Sequence, residues 1–454
     1  MRPLYILTVI LTIFITTGVS CKKFLDEKQD QKLVVPKTVQ DLQSLLEVWF
    51  TVNRYGPQMG EVSADDYYMT NEDWLASNEY LRRGYVWEGR NLFTPGSNND
   101  WGNTYYNIYR ANTVLFYLDK IDRVPGDQPS WNTTKGTAHF LRGSWFAQVA
   151  WIWSQAYNRN TASADLGIPL RLTPDFNERT HRSNLQQTYD QIIFDLKEAA
   201  FYLPERASHP ISPSKSAAFG WLSRVYLSMG EYDSAGVYAG KAISLHPDLM
   251  DFNDLNAAAN APIASFNKEV IYHSVINKTL STTRARIDTL LYNSYDNNDL
   301  RKAVYFRFFS NRYIFKGSYD GSDVAGGWFN GIASDEMYLN RAEYYARNGD
   351  KDEALQDLNT LMIKRWRNNG TWMPILAASS EEALTIILSE RRKELTQRGL
   401  RWMDIKRLNK QGANISLRRI INATEYNLQP NDKKYALPIP EDVIQMTGIP
   451  QNPQ

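Results

Sequence analysis

The residue types that usually carry catalysis or bind metals form no recognisable motif in this chain. The five histidines include no HExxH pair, and Cys21 is the only cysteine, so no cluster of thiolates can form. The chain also contains no G-x-S-x-G nucleophile turn, no G-x-x-x-x-G-K-[ST] phosphate loop and no G-x-G-x-x-G fingerprint. The sequence therefore predicts no catalytic residue, metal ion or cofactor, and we expect a protein that is not an enzyme.

Two acidic groups come closest to a reactive arrangement. Asp65 and Asp66 would serve a glycoside hydrolase only if their carboxyl groups flanked a scissile bond at about 5 to 9 Å, which adjacent residues rarely do. Hydrogen bonding to a ligand, or plain solvation, fits them better. Residues 296–299 (DNND) are similar to the start of a calcium loop, but Arg301 stands where such loops have glycine, so the sequence leaves calcium binding undecided.

Aromatic residues give the strongest sign of a binding function. They make up 13% of the chain, with 13 Trp and 27 Tyr, and their flat apolar faces suit stacking on sugar rings. Many lie in two segments, residues 55–103 and 253–330, whose richness in Asn, Asp, Ser and Gly predicts loops and short strands. The candidate ligand-binding residues in these segments are Asp65, Asp66, Tyr67, Tyr68, Trp74, Tyr80, Arg82, Trp87, Tyr319, Trp328, Phe329 and Asn330.

These candidates are predicted as a set, because for any one ring the filling of space beneath a loop explains its presence equally well. One stacked sugar ring contributes only about 0.5 to 1.5 kcal/mol beyond area burial if it behaves like an aromatic pair. Recognition would therefore need several rings, which predicts weak, multivalent binding of an oligomer.

The N-terminus reads as an export signal. Arg2 is followed by an apolar run over residues 4–15 and by small residues that precede Cys21, the position at which a bacterial lipoprotein is acylated. We therefore predict a signal peptide over residues 1–20, lipidation of Cys21 and a polar tether over residues 21–36; an ordinary secretory signal is the alternative. The 50 basic residues left after Arg2 is removed balance the 50 acidic ones, which argues against nucleic-acid binding.

Helical periodicity dominates the rest of the chain. Apolar residues three and four apart predict helices over residues 138–156 and 185–202 and a helix containing residues 105–118. Gly230, Tyr232, Ala235, Ala239, Ala242 and Pro247 match the spacing of a tetratricopeptide repeat, a helical hairpin of ~34 residues. A second, degenerate copy reads Leu339, Ala342, Tyr345, Gly349, Ala354, Leu358 and Leu361.

Several segments, in order along the chain, resemble the SusD/RagB family of nutrient-uptake lipoproteins. They are residues 21–26 (CKKFLD), Trp101 with 105–112 (YYNIYRAN), 140–142 (FLR), 167–170 (GIPL), 336–343 (EMYLNRAE), 390–395 (ERRKEL), 401–404 (RWMD), 437–440 (LPIP) and 451–453 (QNP). Two positions depart from the family pattern: Arg398 stands where Glu is usual before Gly399, and residues 446–448 (MTG) replace the usual Asn-Pro.

The resemblance implies a mainly α fold, with tetratricopeptide-like helix pairs forming an α-α superhelical scaffold, a large irregular loop face and a few short strands. It implies one domain over residues 37–454, with an N-terminal SusD-like part (37–250) and a C-terminal RagB/SusD part (251–454). It also implies an anchor in the bacterial outer membrane, an exterior-facing position, and a SusC-type TonB-dependent transporter as partner. On this interpretation the loops capture an oligosaccharide and the transporter receives it.

Three other functions remain open at this stage. The same architecture could carry peptides instead of glycans. The repeats alone would suit a tetratricopeptide scaffold for envelope assembly, with protein partners and no small-molecule site. Abundant carboxylates and aromatics leave a glycoside hydrolase as the third alternative.

Overall fold

The computed structural model describes residues 36–122, 124–276, 278–322 and 326–454, and residues 38–454 form one compact unit. The predicted signal peptide, Cys21 and residues 22–35 of the predicted tether lie outside the described residues. Among the described residues, no helix is long and apolar enough to cross a bilayer.

Seventeen helices are present in the described part of the chain, in agreement with the predicted mainly α fold. Those of the N-terminal half are α1 (Val39–Leu46), α2 (Trp49–Val52), α3 (Met59–Ser63), α4 (Asn71–Leu75), α5 (Glu79–Tyr85), α6 (Asp100–Leu118), α7 (Gln128–Trp153), α8 (Leu185–Tyr202), α9 (Lys215–Met229) and α10 (Tyr232–Leu245). Those of the C-terminal half are α11 (Thr289–Asn293), α12 (Arg301–Tyr305), α13 (Ser334–Asn348), α14 (Lys351–Met362), α15 (Ser380–Glu394), α16 (Arg401–Lys410) and α17 (Glu441–Thr447).

The long helix α7 is the centre of the N-terminal scaffold and packs against both α6 and α8. Its buried face continues N-terminally beyond the periodic stretch that predicts it, so the helix begins at Gln128 rather than near residue 138. Asp195 of α8 accepts hydrogen bonds from Arg142 (Nη2–Oδ1 2.7 Å) and lies 2.8 Å from His139 Nδ1. All three side chains are buried, so this charge-assisted contact fixes the register of α7 against α8.

The predicted helical hairpins are confirmed. Gly230 ends α9 and Gly349 ends α13, both in the left-handed region (φ 78° and 92°) that only glycine adopts without strain. The two hairpins stack on each other, since α10 packs against α13. At this contact Gly236 leaves room for the ring of Tyr344, which a Cβ atom would overlap.

Short strands join the loop segments in five two-stranded antiparallel pairs. The pairs are β1 (Tyr67–Tyr68) with β4 (Arg286–Ile287), β2 (Val270–Tyr272) with β8 (Ile332–Ala333), β3 (Val275–Ile276) with β7 (Trp328–Phe329), β5 (Phe306–Phe309) with β6 (Arg312–Phe315), and β9 (Leu417–Ile421) with β10 (Thr424–Leu428). The predicted loops also contain five helices of at most seven residues, α3, α4, α5, α11 and α12. Helices this short carry too little periodicity to be visible in sequence.

A buried network of ion pairs lies where the C-terminal helices meet. Arg365 contacts Glu269 and Glu394 at 2.8 Å each, and Arg301 contacts Glu390 at 2.5 Å. Further ion pairs in this part of the fold involve Glu390, Arg391, Glu394, Arg401 and Asp404. Removing one partner of such a pair typically costs 3–5 kcal/mol, because it leaves an uncompensated buried charge.

Candidate functional site

Residues of the two predicted loop segments meet at one surface, which we call the loop surface and define as residues 68–82 and 278–286. Strand β1 pairs with β4, which brings the segments side by side. Arg286 Nε contacts Asp73 Oδ2 at 2.9 Å, and Arg284 Nη1 donates to the carbonyl of Ala76 at 2.5 Å. Tyr80 and Thr279 share a hydrogen bond between their hydroxyl groups. The loop surface is therefore held together by contacts that join segments about 200 residues apart in sequence.

Trp74 is the aromatic residue of this surface best suited to contact a ligand. Its ring is only partly buried, its Nε1 donates to the carbonyl of Arg82 at 3.1 Å, and the Arg82 guanidinium lies 5.4 Å from the ring centroid. Next to it Leu75 is 54% exposed, and Tyr68 is exposed as well. An indole held in place by its own N–H can stack on a sugar ring, and the guanidinium beside it can donate to the hydroxyl groups of that sugar.

Seven of the twelve candidates lie in the interior and have no free face for a ligand in this structure. They are Asp66, Tyr67, Trp87, Tyr319, Trp328, Phe329 and Asn330, each at most 7% exposed. For these seven residues the structure does not support the predicted ligand contact and shows packing in the interior instead. Trp328 and Phe329, for example, lie in β7, which pairs with β3 beneath the surface.

The buried polar atoms of these seven residues are largely used within the fold. Tyr67 donates its hydroxyl to the carbonyl of Val62 at 2.7 Å, and Trp87 Nε1 donates to the carbonyl of Ser63 at 3.0 Å. Tyr319 donates to Glu269 Oε2 at 2.5 Å. The sequence pattern could not reveal this, because a half-exposed and a buried aromatic have the same signature inside an irregular segment.

Asp65 fastens the loop surface to the helical scaffold. Both of its carboxylate oxygens bond to Arg401 at the start of α16, at 2.6 and 2.9 Å, and Arg392 lies 3.1 Å away. Burial alone would raise the pKa of Asp65, but the guanidinium of Arg401 holds that pKa well below its usual range. Asp65 is therefore an ionised clamp. With both oxygens occupied it is not free to act as an acid or nucleophile.

The pKa values of the neighbouring carboxyl groups are shifted upward, opposite to that of Asp65. Burial, reinforced by the charge of Asp66, raises the pKa of Glu61 to about 8, and burial raises that of Asp66 to about 6. Glu61 still accepts a hydrogen bond from the backbone N–H of Gly399 at 2.9 Å. This cluster joins α3 and the chain after it to the segment between α15 and α16.

The sequence analysis missed two clefts in the described part of the chain. One, of about 280 Å³, is lined by Tyr105, Tyr109 and Phe176, with the last two rings stacked 4.9 Å apart. The other, of about 500 Å³, is lined partly by Trp49 and by residues 207–213. No sequence signal could have indicated either, because their walls come from segments far apart in the chain. At residues 296–299, Asp299 is paired with Arg301 at 2.6 Å, so its charge is already compensated.

Comparison with known proteins places the fold. Residues 23–227 match a family described as starch-binding, associating with the outer membrane, and residues 292–454 match the SusD family. Residues 216–249 match a tetratricopeptide repeat, which coincides with α9 and α10.

Related proteins and solved structures agree with these matches. SusD-like protein P2 of Formosa agariphila is 24% identical over 80% of this chain and 82% of its own length. A SusD superfamily protein of Bacteroides thetaiotaomicron superposes with a TM-score of 0.74 at 22% identity, covering 92% of this chain and all of the other. A SusD-like carbohydrate binding protein of Bacteroides vulgatus gives a TM-score of 0.63 at 17% identity, covering 91% of this chain and 97% of that one. The chain belongs to the SusD/RagB family.

Proposed function

We propose that this protein captures an oligosaccharide at the bacterial cell surface and delivers it, without chemical change, to a SusC-type TonB-dependent transporter in the outer membrane. The observation that carries the proposal is the loop surface on a SusD-type scaffold, where the Arg82 guanidinium lies 5.4 Å from the centroid of the Trp74 ring and Tyr68 is exposed. The names of the related proteins, one of them a carbohydrate binding protein, support the same ligand class.

The N-terminal sequence and family membership support the proposed location. Lipidation of Cys21, after removal of residues 1–20, would anchor the chain in the outer membrane with the binding surface facing outward. Residues 21–36 would act as the tether and residues 37–454 as the folded domain. Metabolic labelling with a palmitate analogue tests the anchor: incorporation should be lost in Cys21→Ser.

A binding function without catalysis fits the carboxylates of the site. A glycoside hydrolase needs one carboxyl as general acid and a second as nucleophile or base across the scissile bond. Asp65 is bound through both oxygens to Arg401, and Asp66 is 1% exposed. Purified protein should therefore release no reducing ends from any polysaccharide that it binds.

Ligand binding is tested by titrating full-length protein in detergent with a panel of oligosaccharides and with a mixture of short peptides, using isothermal calorimetry. Trp74→Ala should weaken binding of the cognate oligosaccharide by about three- to tenfold, since a stacked ring contributes about 0.5 to 1.5 kcal/mol. Phe201→Ala removes a ring that is 75% exposed on α8, outside the loop surface, and is the matched control. Binding of peptides alone would select the peptide-transport alternative, and binding of neither would contradict the proposal.

The transporter is tested by isolating the native protein from outer-membrane extract and identifying co-purifying proteins by mass spectrometry. A TonB-dependent barrel should be recovered with the protein. If only envelope-assembly proteins are recovered, the stacked helical hairpins would indicate a scaffold, and the capture-and-transfer proposal would be wrong.

A further inference from the structure

The larger cleft, which we call the α2 cleft, has a volume of about 500 Å³ and shares no lining residue with the loop surface. One wall is formed by the end of α1 and by α2, and includes Glu47 and Trp49. The opposite wall is formed by Thr134 and its neighbours on α7 and by the segment that joins α8 to α9. The volume lies within the range of about 300–1,000 Å³ that is usual for small-molecule sites.

The walls of the α2 cleft are fixed by hydrogen bonds. Asn53, which follows α2 and is 5% exposed, donates through Nδ2 to the carbonyls of Ile211 (3.0 Å) and His273 (2.9 Å). Its own carbonyl accepts from the N–H of Val275 at 2.7 Å. The side chain and the backbone of one buried residue thus join the end of α2 to the α8–α9 segment and to β3. The cleft is therefore preorganised, which reduces the entropy lost on binding a ligand.

Aromatic rings stand at one end of the cleft. The partly buried ring of Trp49 lies 6.2 Å from Phe266 and 5.5 Å from His273, and Phe266 lies 4.5 Å from the exposed imidazole of His209. Phe266 has a φ of 54°, a left-handed conformation that is strained for a bulky side chain. The surrounding contacts hold this strained residue in place, where its ring supports Trp49 and His209 on the two walls.

A buried hydroxyl group in the lining of the α2 cleft has no hydrogen-bond partner among the described residues. Thr134 is 1% exposed, and its Oγ1 makes no hydrogen bond to any described residue. A buried hydroxyl without a partner is unfavourable, since it has lost water and gained nothing. The neighbouring Thr133 differs, because its Oγ1 donates to the carbonyl of Pro129 at 3.0 Å. The ligand would supply the bond that Thr134 lacks.

The lining also defines the chemistry of the ligand. Among the described residues that form the cleft there is no Lys or Arg, and the one carboxylate, Glu47, accepts a hydrogen bond from Gln43 at 2.6 Å. The rest of the lining combines apolar side chains and His209 with neutral hydroxyls and amides, including Ser208, Ser212 and Thr137. The Arg54 guanidinium, 5.8 Å from the centroid of the Trp49 ring, is paired with Asp320 at 2.8 Å. The lining therefore gives no free counter-charge for a phosphate or sulfate. It fits a neutral ligand that has many hydroxyl groups and one apolar face for Trp49.

We propose that the α2 cleft is a second binding site that takes a short neutral saccharide, separate from the loop surface. The ligand would stack on Trp49 and bond to Thr134 Oγ1. The proposal shares its ligand class with the proposed function but depends on other residues, so the two fail separately. Two sites on one chain would raise the affinity for a long glycan whenever both can be engaged at once.

The test uses full-length protein in detergent and five disaccharides, namely maltose, cellobiose, laminaribiose, xylobiose and mannobiose, detected by saturation-transfer NMR. At least one should bind. Thr134→Val should weaken that binding by about three- to tenfold, the effect of one lost hydrogen bond. Its melting temperature without ligand should not fall, because the hydroxyl has no partner in the free protein. Trp49→Ala should weaken binding comparably, and Trp74→Ala should leave it unchanged.

Three results would overturn the α2 cleft proposal. The first is disaccharide binding that is lost in Trp74→Ala but intact in Thr134→Val and Trp49→Ala, which would place all binding on the loop surface and leave the proposed function standing. The second is binding of longer oligosaccharides without any disaccharide binding. The third is a crystal structure in which the chain's own N-terminal residues fill the cleft.

Discussion

The clamp between Asp65 and Arg401 can be broken by one substitution, Asp65→Ala. This change removes the carboxylate that pairs with Arg401, whose side chain is only 10% exposed. We expect the folded state to be destabilised and the loop surface to lose its attachment to α16. The perturbation therefore separates the structural role that the contacts indicate from the ligand-binding role that the sequence predicts.

The expected loss in the free energy of unfolding follows from how deeply the ion pair is buried. Breaking a fully buried ion pair typically costs 3–5 kcal/mol, whereas exposed pairs contribute about 0–1 kcal/mol. Asp65 is one-fifth exposed but bonded to Arg401 through both oxygens, so the free energy of unfolding should fall by about 3 kcal/mol. The double variant Asp65→Ala with Arg401→Met removes both charges and should recover part of that loss.

The dependence on pH gives an independent check. The pKa of Asp65 is lowered in the folded state, so its contribution to stability is complete above its ordinary value of 3.8 and is lost as the pH falls below it. The difference in stability between wild type and Asp65→Ala should therefore shrink as the pH falls below 3.8.

The assay is urea unfolding at pH 7, followed by circular dichroism and by tryptophan fluorescence, since coincident transitions are needed before a free energy is assigned. Glu425→Ala is the matched control. It breaks the pair with Arg418 at 2.6 Å, which is exposed on the β9–β10 hairpin, and should not change stability measurably. A loss below about 1 kcal/mol in Asp65→Ala, or a double variant no more stable than the single one, would refute the clamp.

Further predictions concern packing, a buried carboxyl group and the ion network. Gly236→Ala should destabilise the stacked hairpins by about 1–3 kcal/mol through overpacking. Gly240→Ala lies on the same helix, and its new Cβ would be 3.7 Å from the nearest neighbouring atom, so this variant should be about 0.5–1 kcal/mol more stable than wild type. Thermal unfolding of the two variants tests both expectations. Because the pKa of Glu61 is raised from 4.5 to about 8, the protein loses stability as the pH rises through this interval. Glu61→Gln should remove that loss. Urea unfolding at pH 5 and 9 should therefore show the variant gaining stability relative to wild type only at pH 9. Arg365→Met leaves the buried Glu269 without its ion-pair partner and leaves Glu394 with Arg301 alone, and should cost about 3–5 kcal/mol in the same assay. A smaller loss than in Asp65→Ala would contradict the larger contribution expected from the more buried network.

The sequence predicts the helical scaffold better than it predicts the candidate site. Helices α7 and α8 and both hairpins follow from the sequence because an amphipathic helix repeats its apolar positions locally, and Gly230 and Gly349 mark the turns by their own backbone requirements. The resemblance to the SusD/RagB family is visible for the same reason, because it depends on short local patterns. The family comparison confirms it.

The sequence predicts which irregular segments carry the candidate residues, but not which of these side chains are exposed. The two irregular segments do meet, through β1 and β4, and Trp74 and Arg82 lie on the surface that results. Tyr319 and Trp328 belong to the same kind of segment by composition, yet both are 1% exposed. Exposure is a property of what packs over a residue, and no local pattern records it.

The sequence by itself determined the helical scaffold, the repeat hairpins, the lack of a recognisable catalytic motif and the family resemblance, because each depends on residues that are neighbours along the chain. Only the tertiary structure decided that Asp65 is held by Arg401, 336 residues later, and that Trp49 and Thr134 face a common cleft. Contacts of this kind arise from packing of distant segments, and their energies depend on burial, which the order of residues does not specify.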